Sequence, residues 1–529
     1  MTTKKSKNPA QEKSPANKVI ELIINDCKLV HNQQKEPYAI VNKAGVRQVY
    51  SIASKIFTDW VASKYYEAKK TALSDASLKT VFSTLSGKAV FEGRMVKIHT
   101  RIAKTDEGYW LDMCNDKWEA VLISDKGWKV MSGDSTPLFC RSNSMQAIPT
   151  PVPGGSLDAL WNLVNIPPED RLLVVAWLLE CLREDTPHVV MELVGEQGSA
   201  KSTTQKILKM LIDPNVANLR AAPKKVEDVW IGALNSHLMS FENISYLGQD
   251  YQDALCVMAT GGAHATRTLY TNKEEVIIEL RKPIILNGIT VNITAQDLLD
   301  RSLHIELPPV KTRLQSKEVD EAFTNQYPHI FGALLDQFVG ALKVLGNIVI
   351  ANEDKPRMID FAYLGEAVFQ SNGFAAGTFI SLYRSMRQKG VHRTIESYPI
   401  GMALWTYLQS NPKGWTGKLI DLLAHLGSLK PAGETNWPKS AKGMGDALRR
   451  LSPALRTLGF NCKAHQKSGG SIIWEISPTP HKVATQCPTS TTSPESDDDM
   501  DQVGLGHSGH EGHENHSFDE DGTLLTLPI

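Results

Sequence analysis

Hydrophobic and polar positions change register several times along this chain, and each change marks an element. Short aromatic and β-branched runs occur at Val96–Ile102, Tyr109–Met113, Trp118–Ile123 and Trp128–Met131. Turn signals, Asp106-Glu107-Gly108 and Asp125-Lys126-Gly127, separate them, a spacing that predicts a small β-meander. An apolar helical pattern spans Glu169–Arg183. Then Val189–Val194, His237–Asn243, Pro283–Gly288 and Leu303–Leu307 read as strands interleaved with helical patterns, an α/β block of about 120 residues. A helical stretch follows at 316–392. The last patterned region runs helix, helix, helix, β-hairpin: Ile400–Gln409, Lys418–Leu426 with Thr416 as a candidate N-cap, Ser440–Leu458 interrupted at Pro453, then Phe460–His465 paired with Ile472–Ile476. That order predicts a winged helix.

These patterns divide the chain into a basic arm at 1–18, an α+β module at 19–150, an α/β core at 151–315, a helical segment at 316–392, a winged helix at 393–478 and a tail at 479–529. Pro149-Thr-Pro-Val-Pro-Gly-Gly155 reads as a linker. A chain of 529 residues is long enough for several cores. No apolar run approaches the roughly 18 residues of a membrane span. The polar N-terminus lacks the apolar stretch of a signal peptide. The 7 cysteines are scattered without CxxC pairs, which argues against a zinc or disulfide framework and fits the cytoplasm.

Charge changes the picture at the C-terminal end. The net charge is −1, yet the acids of the tail, Glu495 to Asp521, face a single base, Lys482, and leave a mildly basic body. Such a body is compatible with nucleic acid. His507, His510, His513 and His516 recur every third residue. With no carboxylate or Cys spacing to close a metal site, the tail reads as disordered and polar. The run Asp497–Asp501 is a candidate mimic of DNA.

The strongest chemical signal is Gly195, Glu196, Gln197, Gly198, Ser199, Ala200, Lys201, Ser202 and Thr203, between a strand pattern and a helical one. Strand, glycine loop, Lys-Ser, helix is the order that cradles phosphates. Loop N–H groups and the helix N-terminus point at the anion, Lys201 neutralises it, and the Ser202 hydroxyl ligates Mg²⁺. Ala200 stands where a second glycine is usual, and it is expected to take helix-start torsions. Glu242, closing the second strand, is the candidate to orient Mg²⁺ or an attacking water. Asn287, at the tip of the third, reads either as a γ-phosphate and water contact or as half of an Asn-Gly turn. Arg301 reads either as an arginine finger for a neighbouring subunit or as a surface ion pair.

Together Gly195–Ser202, Glu242-Asn243, Thr260-Gly261-Gly262 with Arg267, Asn287 and Arg301 resemble the superfamily 3 branch of AAA+ helicases. Within it, the chain is similar to the poxvirus-type primase-helicase ATPases of phages and integrative elements. The resemblance covers roughly residues 150–390. It implies an α/β P-loop AAA+ core, ATP with Mg²⁺, a homo-oligomeric ring, a hexamer by family habit, and single-stranded or forked DNA as partner in replicating a mobile element. The family norm at the second strand is an Asp or an acidic pair, so Glu242-Asn243 departs from it. The resemblance also implies a DNA-gripping hairpin. Thr266–Lys282 reads as two strands around Thr271–Glu274, with Lys273 at the tip. Arg267, Arg281 and Lys282 serve either the channel or a subunit interface. In the winged helix, Lys442, Arg449, Arg450, Lys463 and Lys467 are candidate phosphate contacts. Asp112 and Asp116 lack the spacing of a paired-carboxylate primase site, so no primase activity is expected. Two further readings stay open: a nucleotide-gated oligomeric initiator or regulator that does not unwind, in replication or in anti-phage defence, and a small-molecule kinase, which would not need Asn287, Arg301 and a winged helix.

Overall fold

The computed structural model describes residues 14–43, 45–221, 225–267, 275–289, 293, 295–311, 313–396, 398–466 and 472–479. The basic arm up to residue 13 and the acidic tail lie outside these residues, as do Lys273 and Lys467.

The chain begins with α1 (Pro15–Asp26), β1 (Cys27–His31), β2 (Pro37–Lys43), β3 (Val46–Ser51), α2 (Lys55–Lys69), α3 (Asp75–Phe91) and β4 (Arg94–Met95). The four strands form one sheet in the order β3-β2-β1-β4. Serines start all three helices. Ser14, Ser54 and Ser74 each accept a backbone N–H three residues on, at 3.2–3.3 Å, and such caps contribute about 1 kcal/mol each. Val19, Ile23, Phe57, Val61, Val81 and Leu85 form a separate small core beneath the sheet.

The meander follows as β5 (Ile102–Thr105), β6 (Gly108–Asp112), β7 (Ala120–Ser124) and β8 (Gly127–Met131), antiparallel in chain order. Its first strand lies later than Val96–Ile102. Before Ile102 that stretch instead makes an isolated bridge, from His99 to Phe139, and bends at Thr100 and Arg101.

The boundary at residue 150 does not separate two cores. Tyr109, Leu111, Val121 and Ile123 pack into the same apolar cluster as the helices that come later. The expected linker is also docked: the Val152 N–H donates to the Pro328 carbonyl at 2.9 Å. A side chain at Gly332 or Gly155 would collide with backbone across this contact.

Next come α4 (Asp158–Trp161), α5 (Arg171–Glu180), β9 (Val190–Val194), α6 (Lys201–Ile212), β10 (Arg220–Ala221), α7 (Val226–Leu234), β11 (Met239–Ile244), α8 (Gln249–Thr260), β12 (Gly262–Arg267), β13 (Glu275–Leu280), β14 (Ile284–Gly288), α9 (Gln296–Leu299) and β15 (Ser302–Glu306). Five of these strands form a parallel sheet in the order β10-β11-β14-β9-β15. β9 and β14 are buried along their whole length, as expected where helices cover both faces. β12 and β13 pair antiparallel from Gly262↔Leu280 to Arg267↔Glu275, so the expected hairpin is present, with its tip at 268–274 outside the described residues.

Three helices complete this part: α10 (Ser316–Leu345), α11 (Ile359–Ser371) and α12 (Thr378–Glu396). α12 ties two cores together. Phe379 and Tyr383 belong to the cluster beneath β9 and α5, whereas Val391 and Ile395 belong to the one shared with the C-terminal region. There α13 (Pro399–Ser410), β16 (Trp415–Gly417), α14 (Leu419–Leu426), α15 (Ala441–Thr457), β17 (Phe460–Gln466) and β18 (Ile472–Pro478) fold around a three-stranded sheet, β16-β18-β17. Two expectations are corrected here. Thr416 is a strand residue opposite Glu475 rather than an N-cap, and α15 runs on past residue 453 to Thr457. Among the described residues no helix is long and apolar enough to cross a membrane.

Candidate nucleotide site

The Gly195–Ala200 loop joins the buried end of β9 to the N-terminus of α6. Glycine is required at its tight points. A Cβ on Gly195 would meet the Leu307 carbonyl at 2.6 Å, and Gly198 takes φ +91°. Ala200 is corrected: it adopts the left-handed conformation, φ +55° and ψ +28°, rather than helix-start torsions. For an L-residue other than glycine this costs roughly 1–2 kcal/mol. The loop holds this shape by internal bonds. Ser199 Oγ donates to the Glu196 carbonyl at 2.9 Å. The Lys201 ammonium donates to the Gly195 and Glu196 carbonyls at 2.7 and 2.8 Å, and partial burial lowers its pKa. The result is a curled backbone with a cation at its centre, at the N-terminus of a 12-residue helix, and those are the elements of an anion site.

The strained Ala200 supports a prediction. Ala200→Gly should bind an ATP analogue at least as tightly as the parent. Ala200→Val, β-branched in a left-handed position, should bind about tenfold more weakly. Equilibrium titration with a fluorescent analogue reads both, and equal affinities for Val and Gly would refute the argument.

Strand order brings the remaining candidates together. β14, carrying Asn287, lies directly between β9 and β11, which carries Glu242. Asn287 and Gly288 pair with Leu193 and Val194 inside the sheet, so Asn-Gly here is not a turn. Asn287 is fully buried and bonded on both sides. Its Oδ1 accepts the Asn243 N–H at 2.9 Å, and its Nδ2 donates to Gln205 Oε1 at 2.5 Å. Gln205, on α6, donates in turn to Ser240 Oγ at 2.9 Å and the Phe241 carbonyl at 3.0 Å. β11 breaks register between Phe241 and Ile244, and Asn243 stands at φ +54°. The bulge turns the strand end aside and leaves Glu242 half-exposed at the sheet edge that bears the loop.

Three residues of the site were missed in the sequence. Gln205 is one. Asn165 is another: its Nδ2 donates to the Ser199 carbonyl at 3.0 Å, and its N–H to Thr204 Oγ1 at 3.0 Å, clamping the loop from outside. The third is Arg313, whose Nη2 lies where a Cβ on Gly198 would approach it to 2.8 Å. None belongs to a motif, and only the register of distant segments brings them in.

Arg301 lies elsewhere. It precedes β15, and its carbonyl accepts the N–H of Val190 at the start of β9, the end of the sheet opposite the loop. A strand of this length separates the two by roughly 16 Å. Arg301 pairs with Asp297 at 2.5 Å, and Arg357 shares that carboxylate at 2.6 Å. Within one chain it is an ion pair and does not reach the loop.

The candidate DNA contacts spread over two regions. Arg267 ends β12 opposite Glu275. Lys442, Arg449 and Arg450 stand exposed on one side of α15, whose other side buries Met444, Leu448, Leu451 and Leu455. Asp446 sits among them and pairs with Arg449 at 2.7 Å, which reduces the field of this face. Lys463 is exposed on β17 opposite Glu475.

The described residues thus define a mixed α/β protein with a five-stranded parallel sheet, and the Gly195–Ala200 loop follows its strand β9. Residues 157–387 match the family model described as "Actinomycete integrative conjugative element replication protein". Residues 400–493 match "AICE RepA C-terminal domain", so the sequence of a mobile-element replication protein is what this chain resembles across both regions. Among curated proteins none matches. Solved structures similar to the chain include "The A form apo structure of NrS-1 C terminal region-CTR", at 12% identity and TM-score 0.40, covering 88% of this chain and 100% of that one. Another is "SCCmec type IV Cch - active helicase", at 12% identity and TM-score 0.44, covering 85% and 92%.

Proposed function

We propose that this protein is an ATP-dependent DNA helicase or translocase of the superfamily 3 AAA+ kind, working as a ring in replication of a mobile element. The observation that carries the reading is the place of Asn287. It sits on the strand between the phosphate loop and the acid strand, hydrogen-bonded to both α6 and the turn after Glu242. A side chain so held senses what the loop binds and passes it to the acid. A small-molecule kinase does not need this arrangement.

In this reading Lys201 and the N–H groups of residues 195–203 hold the phosphates of ATP, and Ser202 and Glu242 hold Mg²⁺, which supplies charge neutralisation at the reacting phosphate. The chemistry of the donor set, a lysine, a hydroxyl and a carboxylate around a curled backbone, suits both. Glu242 orients the attacking water, and Asn287, buried and bonded on both sides, fixes the strand end beside it. Arg301, remote from its own loop, acts on the neighbouring subunit's nucleotide, which is why a ring, a hexamer by resemblance, is part of the proposal. The C-terminal unit is read as a winged helix that follows the DNA backbone through Lys442, Arg449, Arg450 and Lys463, with Lys273 and Lys467 assigned by sequence alone.

The test is steady-state ATP turnover with and without single-stranded DNA, followed by strand displacement on a fork. Acceleration by DNA supports the motor. Assembly and DNA binding with negligible turnover would favour the nucleotide-gated initiator instead. The trans role has its own test. Arg301→Ala should lose about 10³-fold or more in turnover, and mixing it with Lys201→Ala should restore part of it, because mixed interfaces join an intact loop to an intact Arg301. A mixture no more active than its parts would remove the trans assignment.

A further inference from the structure

A cleft of about 1680 Å³ opens between the N-terminal sheet and the end of the parallel sheet away from the phosphate loop. Small-molecule pockets run to roughly 300–1,000 Å³, so this one has room for a segment of polymer. Its floor carries Lys282, only 6% exposed. Among the described residues its ammonium has no hydrogen-bond or ion-pair partner. Burial brings its pKa down to about 8, with Asp213 and Glu184 opposing, so it stays charged at neutral pH. A buried, unpaired cation facing a cleft is costly unless an anion joins it.

Seven Lys or Arg residues line the cleft against four Asp or Glu, and three of these cations are already paired, Arg101 with Asp213, Arg141 with Asp112 and Lys97 with Glu184. Of the acids, Glu184 is already held between Lys97 at 3.1 Å and His99 at 2.9 Å. Arg281 is exposed beside Lys282, and its Nη1 donates to the Glu184 carbonyl at 3.3 Å. The rim has a different character: Met95, Ile231 and Leu234 are 65%, 57% and 47% exposed. Phosphates suit the floor, and unstacked bases suit the rim. A duplex hides its bases, so this pairing of a cationic floor with apolar walls fits an unpaired strand.

We infer that this cleft binds single-stranded nucleic acid, with Lys282 and Arg281 contacting the sugar-phosphate backbone and the apolar rim receiving bases. The inference deepens the proposed DNA-translocase reading and rests on it for the role of the bound strand. Lys282, enclosed in the cleft, then serves neither a ring channel nor a subunit interface.

The test uses the full chain without nucleotide, by fluorescence anisotropy with labelled oligothymidine and oligouridine across a salt series. Lys282→Met and Arg281→Gln should each weaken binding about fivefold near ~0.1 M salt and reduce the log–log salt slope by about 0.7, the value for one phosphate contact on a single strand. Lys282→Met should melt no lower than the parent, since it removes an unpaired buried charge, and Arg281→Gln alters only an exposed side chain. Lys201→Ala should bind the oligomers like the parent, which separates failure of this site from failure of the ATPase reading. Unchanged affinity and slope in both variants would overturn the assignment. So would tighter binding of duplex than of single strand, or displacement of the oligomer by inorganic phosphate at concentrations too low to act through ionic strength.

Discussion

Lys201→Ala should lower ATP turnover at least ~100-fold, with and without DNA, while leaving the fold intact. The magnitude is that of removing one preorganised charge from a site where negative charge develops. The fold should survive because, among the described residues, the ammonium bonds to the loop's own Gly195 and Glu196 carbonyls and Ser199 Oγ and to no other element. Those carbonyls lie at a half-exposed edge, where water can replace the lost donor. Turnover by phosphate release and melting by circular dichroism check the two halves. A Lys201→Ala protein that hydrolyses ATP at the parental rate would end the assignment of this loop as the catalytic site.

Asp213→Asn should have the largest effect on stability. Asp213 follows α6 directly and is fully buried. Its Oδ1 accepts from Arg101 Nε at 3.0 Å. Its Oδ2 accepts from the Lys209 ammonium at 2.5 Å, Ser236 Oγ at 2.9 Å, and the His237 and Leu238 N–H groups at 2.8 and 3.0 Å. Burial alone would raise its pKa, but Lys209 and Arg101 overcome that and hold it well below the ordinary 3.8. The carboxylate thus joins the segment that enters the meander, which carries Arg101, to α6 and to the entry of β11.

Neutralising it takes from the buried Lys209 and Arg101 the carboxylate they share, and losing one member of a buried pair costs roughly 3–5 kcal/mol. Thermal denaturation should show a large fall in midpoint. Adding Lys209→Met to Asp213→Asn should recover part of it, because one orphaned charge is then removed. The linkage has a definite sign. With its folded pKa depressed, Asp213 contributes fully above its unfolded pKa, and the contribution is lost as pH falls through the folded value. An Asn variant with the parental midpoint would show that the cluster does not hold these elements together.

The loop around Lys201 was legible because its signal is local. A strand, a glycine loop, Lys-Ser and a helix fall within two dozen residues, and backbone geometry ties each to the next. The strands β9 and β14 were legible for a related reason: burial on both faces writes them as nearly continuous apolar runs. The role of Asn287 was ambiguous, since Asn-Gly serves a hairpin turn as well as a strand end. Strand neighbours removed the turn, and they are set by tertiary pairing. The torsion of Ala200 was misread because a small side chain says what fits a space, not which sign of φ the loop imposes.

By itself the sequence determined the elements whose signals are short-range: the loop around Lys201, the apolar strands and the basic side of α15. Only the tertiary structure decided that the meander and the Pro/Gly stretch pack onto the α/β core instead of hanging from it. It alone brought Gln205, Asn287 and Asn243 into one hydrogen-bonded chain and set Arg301 at the far end of the sheet from its own loop. The reason is physical. A local pattern specifies backbone geometry over a few residues, whereas a buried ion cluster, a strand order and a cleft depend on contacts between segments tens to hundreds of residues apart, and those form only when the apolar faces have chosen their partners.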